Sequence, residues 1–232
     1  MIRSVAPLPR WLFLALMLAG SALITWTSLG YFDSEELPPF VIEKLQQSLR
    51  FEALWMAALR VHVAAAVVTF PVCLLLMTRP LQRRPVWHRW IGRLTGTLVL
   101  FALVPSGVVL AFEAKGGRAV SAGFLLSALI VGWGIVHGVI TARRRDLVSH
   151  QRAMRHVVAQ MSVAVTSRTL MFVLDSRGVD PAVAYVVALW VPVLGSALVA
   201  ELVSSRFIWN RARSLVVDRS VRAPRSRREV FP

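Results

Sequence analysis

Cysteine is almost missing from this chain. Cys73 is the only one in 232 residues, so no internal disulfide forms and no cysteine-based metal site is available. A lone thiol inside an apolar run reads as a packing residue. Acids are scarce as well, with 12 Asp and Glu against 27 Lys and Arg. Inside the apolar runs the main carboxylate is Glu201, near the end of the last one, which is too little for a typical proton-coupled transporter. No G-x-S-x-G elbow, Walker loop or H-E-x-x-H is present, which excludes the enzyme classes that depend on them. There is no internal repeat and no stretch with the composition of a soluble domain.

What the chain does have is apolar length. Hydrophobic residues make up 56% of it, and mean hydropathy is +0.61, which is rare for a soluble domain of this size. The apolar runs cover about residues 11–30, 61–78, 94–112, 121–142, 154–174 and 182–203. Each has the roughly 18–22 residues that a helix needs to cross about 30 Å of hydrocarbon. The expected fold is therefore all-α: a polytopic, multi-pass membrane protein with six transmembrane helices, placed in the cell membrane. The first run follows Arg3 and Arg10 but is longer than the apolar core of a signal peptide, so it reads as an uncleaved anchor.

The net charge of +15 could suggest nucleic acid, but its distribution argues against that partner. Arg79, Arg83, Arg84, Arg89 and Arg93 form one cluster, and Arg143, Arg144, Arg145, Arg152 and Arg155 another. With Arg3, Arg10 and the eight arginines from Arg206 onward, one set of flanks holds 20 basic residues and the other six. Arginine excess of this kind marks the cytoplasmic side, so both termini are expected there. The basic surface would meet anionic lipid headgroups. The acids Asp33, Glu35, Glu36, Glu43 and Glu52 fall in the first loop on the other side.

The organisation expected is an anchor (1–30), a loop with an interfacial helix (31–60), a four-helix membrane core (61–174), a sixth span (182–203) and a basic tail (204–232), disordered beyond about Arg219. The loop's helical pattern from Phe40 to Arg60 reads as an interfacial helix running into the second span. Pro105 and Gly107 predict a kink near 102–107 in the third span. Two G-x-x-x-G pairs, Gly92/Gly96 and Gly134/Gly138, point to close helix packing, within one chain or between copies in a homo-oligomer.

Ionisable groups inside spans are costly and are functional candidates by default. At about 1.5 Å per residue, His62 lies about 25 Å and Arg168 about 24 Å from the arginine-rich edge, on different helices. They define an outer polar layer, with Arg60 near it. His137 and His156 lie about 6–9 Å above that edge, and His88 and His150 sit at the edge itself. With Arg89, Arg93 and Arg152 these form an inner layer. Neutral imidazole ligates haem iron, and arginine pairs with propionates, so His137 and His156 are the best haem b pair, with His150 and His88 as further candidates. Each of these residues also has a bland reading, as headgroup contact, interhelical hydrogen bond or packing. Trp87, Trp90, Trp133 and Trp190 read as interfacial belt or packing residues.

Two stretches carry a family resemblance. Trp87-His88-Arg89-Trp90-Ile91-Gly92-Arg93, after a span that begins at His62, resembles the His-Arg-x-x-Gly-Arg signature of a family of predicted bacterial membrane proteins, domain-of-unknown-function family two-three-zero-six. His150-Gln151-Arg152-Ala153-Met154, followed by Arg168-Thr169-Leu170, resembles that family's His-Arg-Arg-Trp-Met element and its later arginine-leucine pair. Gln151 stands in place of an arginine, and Ala153 in place of the tryptophan. The resemblance covers about residues 60–172 and implies a four-helix core marked by His62, His88, Arg89, Arg93, His150, Arg152, Met154 and Arg168. It implies no activity. A weaker likeness is to ascorbate-reducible transmembrane cytochromes b, but a second outer histidine is missing for their two-haem arrangement.

Two function classes follow. The first is a non-enzymatic carrier or scaffold whose polar layers bind a ligand or hold helices in register. The alternative is a haem b redox protein that passes electrons to a quinone or other acceptor. Ligand-binding candidates are His62, Arg168, Arg89, Arg93 and Arg152.

Overall fold

In the computed structural model, residues 7–32, 38–47 and 49–222 are described, with side chains for 11–32, 38–47 and 49–205. Arg3, the acids Asp33, Glu35 and Glu36, and the end of the basic tail lie outside the described residues. So do the side chains of Arg10 and of the arginines from Arg206 on.

All regular structure among the described residues is helical. The helices are α1 (Pro7–Ser28), α2 (Pro39–Leu45), α3 (Glu52–Leu76), α4 (Arg79–Gln82), α5 (Pro85–Leu98), α6 (Val104–Phe112), α7 (Gly117–Arg143), α8 (Leu147–Met161), α9 (Val163–Ser176) and α10 (Pro181–Arg222). Six helical stretches among these residues are long and apolar enough to span: Trp11–Phe32, Glu52–Leu76, Pro85–Phe112, Gly117–Arg143, Leu147–Ser176 and Pro181–Ser205. Most start or end beyond the apolar runs because arginine-bearing turns remain helical; a long stem can lie along apolar surface while its charge reaches water. Trp26, Phe101, Phe112, Trp133 and Phe172 are all largely exposed, as lipid-facing rings are. α10 continues to Arg222, consistent with the absence of glycine and proline between Gly195 and Pro224.

The loop helix departs from the expected pattern. Instead of running into the second span, it stops at Leu45, and α3 begins at Glu52. The buried side chains of Val41, Trp55 and Leu59 form one cluster. In a continuous helix Val41 and Trp55 would stand about 21 Å apart, so the break is what lets α2 fold back onto α3.

The third span also departs from regular α geometry. Residues Val99–Leu103 form a π turn just ahead of Pro105. Proline has no N–H to return to the carbonyl four residues earlier, and widened turns of this kind accommodate the mismatch. The fifth span breaks at Ser162, between α8 and α9. The Ser162 hydroxyl donates to the Ala159 carbonyl at 2.6 Å, a back-bond that competes with the ladder and bends helices. Pro71 and Pro192 lie inside uninterrupted helices.

α7 reverses into α8 through Arg144–Asp146, with Arg145 at φ 60. The Asp146 carboxylate accepts from the Ser149 amide at 3.1 Å and caps α8. Hydrogen bonds from Ser149 hold that carboxyl below its ordinary range. Along the resulting hairpin, a Cβ at Gly134 would stand 2.7 Å from Val157, and one at Gly138 would strike Met154. This G-x-x-x-G pair is thus used inside the chain. Gly92 faces open space, and a Cβ at Gly96 would meet only ordinary contact at 3.6 Å.

Candidate functional site

A cavity of about 530 Å³ opens in the half of the bundle away from the arginine clusters. That volume is in the range of small-molecule sites. Its walls come from α3, the third span, α7, α8, α9 and α10, with Tyr31 and Phe40 of the first loop and Lys115 of the turn before α7 at its mouth. Most of the lining is apolar. His62, Ser127, Gln160, Ser167 and Arg168 supply polar groups deeper in.

The outer layer read from the sequence therefore comes together: His62 on α3 and Arg168 on α9 line one space and lie within electrostatic reach of each other. Arg60 is exposed and is not among the wall residues. The position of His62 depends on the irregular third span. Its Nδ1 lies 3.1 Å from the Leu103 carbonyl and 3.2 Å from the Ser106 hydroxyl. A carbonyl only accepts, so Nδ1 carries the hydrogen and Nε2 of the neutral ring is an acceptor. Gly107 makes the approach feasible, because a Cβ there would stand 3.0 Å from Cε1 and 3.3 Å from Nδ1. Arg168 donates from Nη1 to the Ala164 carbonyl of its own helix at 2.8 Å. Tyr31 lies within its electrostatic reach, and among the described residues no carboxylate pairs with it.

Lys115 differs. Its Nζ bonds both Glu43 oxygens, at 2.6 and 2.7 Å, and lies 5.3 Å from the Tyr185 ring centroid. The hydrogen bond it donates to Glu43 raises its pKa above the ordinary lysine value. This pair ties α2 to the turn before α7. At the floor, Gln160 is buried and joins three helices. It accepts from Ser127 of α7 at 3.0 Å, and donates to the Val193 carbonyl at 2.9 Å and the Ser196 hydroxyl at 3.1 Å on α10.

The inner layer does not assemble into one site. His156 Nε2 lies 3.1 Å from Glu201, and Arg152 holds both Glu201 oxygens at 3.1 and 2.6 Å. The His137 ring stacks on Trp133, with centroids 6.2 Å apart. His150 Nδ1 donates to the Gly138 carbonyl at 2.8 Å. His88 keeps a buried Nδ1 with no hydrogen-bond partner among the described residues, and His150 is within electrostatic reach. A haem between His137 and His156 would require His156 to give up Glu201, so the pair does not fit an iron in this arrangement. Arg89 donates to the Pro85 carbonyl at 3.2 Å, and Arg93 lies 5.5 Å from the Trp90 ring centroid. Both stay on the surface of α5.

Sequence depth placed His62 with Arg168 but gave no contacts. Ser106, Gly107 and Tyr31 escaped it because their part depends on which helix face meets which neighbour. Glu201 was visible as a membrane acid, but not as the partner of both Arg152 and His156. That pairing gives a prediction. Glu201 and Arg152 are both about half exposed, so their coupling should be modest. In a double-mutant cycle with Glu201→Ala and Arg152→Met, thermal unfolding in detergent should give a coupling of about 0.5–1 kcal/mol. Strictly additive effects would mean that the pair contributes nothing to α8–α10 packing.

A family model described as "Predicted membrane protein (DUF2306)" matches residues 59–204, more than half of the chain. The chain belongs to this family. No curated protein and no solved structure matches, and the likeness to transmembrane cytochromes b has no counterpart in these comparisons. The matched region includes His62, His88, His150, Arg168 and Glu201.

Proposed function

We propose that this family member is a non-enzymatic carrier of small lipophilic molecules, with the cavity around His62 and Arg168 as its binding site. One observation carries the reading: a guanidinium stands in a cavity of about 530 Å³ with no carboxylate pairing it among the described residues. Arg168 is exposed by surface area, but it lies within the span Leu147–Ser176, where a charged group is costly, and a bundle that only held helices together would pair it or fill the space. The arginine clusters support an orientation with the opposite end of the bundle on the cytoplasmic side of a cell membrane, against anionic headgroups; in that reading the mouth beside Lys115 opens to the other side.

The test uses an octanol analogue bearing a diazirine, photolysed with the protein in nanodiscs. Labelling should map to cavity walls such as Leu59, Phe70 and Met171. It should fall at least tenfold when Ala66→Trp fills the space. Labelling confined to lipid-facing positions, unchanged by Ala66→Trp, would overturn the carrier reading. A b-type visible spectrum from the purified protein would favour the redox alternative instead.

A further inference from the structure

The cavity's polar groups are not interchangeable, and their differences limit what can occupy it. His62 commits its Nδ1 hydrogen to the third span. Its Nε2 has no hydrogen-bond partner among the described residues and is not a buried orphan, so this acceptor remains accessible. Arg168 offers donors only, and one of them already serves Ala164. The cavity wall thus presents His62 Nε2 as an acceptor and Arg168 as a cationic donor group, within electrostatic reach of each other and among walls that are chiefly apolar. Lys115, the other cation on the wall, is engaged by Glu43. The wall also carries the Glu113 carboxylate, which makes no ion pair among the described residues. Among those residues Arg168 is then the wall's one unpaired cation against that acid, a balance that suits a single acid group better than a doubly charged phosphate.

We propose that the cavity recognises a lipophilic monocarboxylic acid, whose O–H donates to His62 Nε2 while its carbonyl oxygen accepts from the Arg168 guanidinium. This deepens the carrier reading and rests on it. A carboxyl group carries a donor and an acceptor on one carbon, so a single group can meet both residues. An ester lacks the donor, and an alkylamine, protonated near neutral pH, lacks the acceptor. The ligand brings the shared proton itself. Whether it sits on the carboxyl oxygen or on Nε2, atoms and charge balance, and no outside donor is consumed. When the proton sits on Nε2, the ionised carboxylate can meet the guanidinium as a planar fork, the geometry such pairs favour. The hydrocarbon body lies against walls such as Leu59 and Phe70.

The experiment is competition for the octanol photoprobe in nanodiscs by octanoic acid, methyl octanoate, octylamine and decylubiquinone. Octanoic acid should displace the probe at a concentration at least tenfold below the ester or the amine. His62→Phe and Arg168→Met should each erase the preference for acid over ester, while the photoprobe still labels the cavity, which shows that the variants fold. Equal competition by acid and ester would overturn the acid assignment but leave the carrier reading standing. Stronger displacement by decylubiquinone than by octanoic acid would replace the acid with a quinone. Failure of the photoprobe to enter the cavity of the unaltered protein would overturn the carrier reading and the assignment with it.

Discussion

Gly107→Leu is expected to abolish acid recognition in the cavity without altering any polar side chain. The glycine faces the edge of the His62 ring, where even a Cβ would come to 3.0 Å from Cε1 and 3.3 Å from Nδ1. Alanine there asks the ring to yield by a few tenths of an ångström. A leucine demands far more, and overpacking of this kind costs roughly 1–3 kcal/mol where the surroundings cannot shift. The ring can shift, but only by leaving the Leu103 carbonyl. That breaks the hydrogen bond that fixes its tautomer, and Nε2 is no longer held as the acceptor beside Arg168. Gly107→Leu should therefore erase the acid-over-ester preference as fully as His62→Phe does, whereas Gly107→Ala should weaken it only partly. Nitrogen-15 NMR of labelled histidine gives an independent check. The neutral ring assigned to His62 should carry its hydrogen on Nδ1 in the unaltered protein and lose that signature in Gly107→Leu. Retention of both the preference and the signature would show that Gly107 does not set the position of His62.

The sequence carried the bundle far better than the site. Spans follow from apolar length alone, because a helix crossing hydrocarbon must be apolar on nearly every face. The depth of His62 and Arg168 was legible for the same reason, since a rise of 1.5 Å per residue converts position into level. Their convergence on one cavity needed rotation about each helix axis, and an all-round apolar helix hides it. The two irregular turns show this limit. Pro105 announced trouble in the third span, and the π turn at Val99–Leu103 lies just before it. Ser162 announced nothing, because serine is common in membrane helices and hydroxyl back-bonds such as that of Thr69 also lie in unbroken ones. In the inner layer, depth gave levels and not contacts. His137 and His156 share a depth, but one turns to Trp133 and the other to Glu201.

Gln160→Leu should cost more stability than breaking the Arg152–Glu201 ion pair, although it removes no charge. Gln160 is 2% exposed and makes hydrogen bonds to Ser127, Val193 and Ser196, so its side chain bridges α8 to α7 and α10. Interhelical hydrogen bonds in membranes average about 0.6 kcal/mol; three of them give roughly 2 kcal/mol. The ion pair is half exposed, where water and headgroups screen it and pairs contribute about 0–1 kcal/mol. Leucine has similar bulk, so the loss should report hydrogen bonding more than an emptied space. Gln160→Ala should cost further because a void is added. Reversible unfolding of the reconstituted protein, with Ser127→Ala as the second arm of a cycle, would separate these terms. Ser127→Ala should cost little once Gln160 is already leucine. A loss below about 0.5 kcal/mol for Gln160→Leu would mean that the unfolded chain in the membrane satisfies this amide equally well. In either case the floor of the cavity is the reporter, since Gln160 lines it directly two residues before the break at Ser162. If the bridge holds the broken span in place, Gln160→Leu should also loosen α9, and the position of Arg168 with it. Acid recognition would then weaken in step with stability.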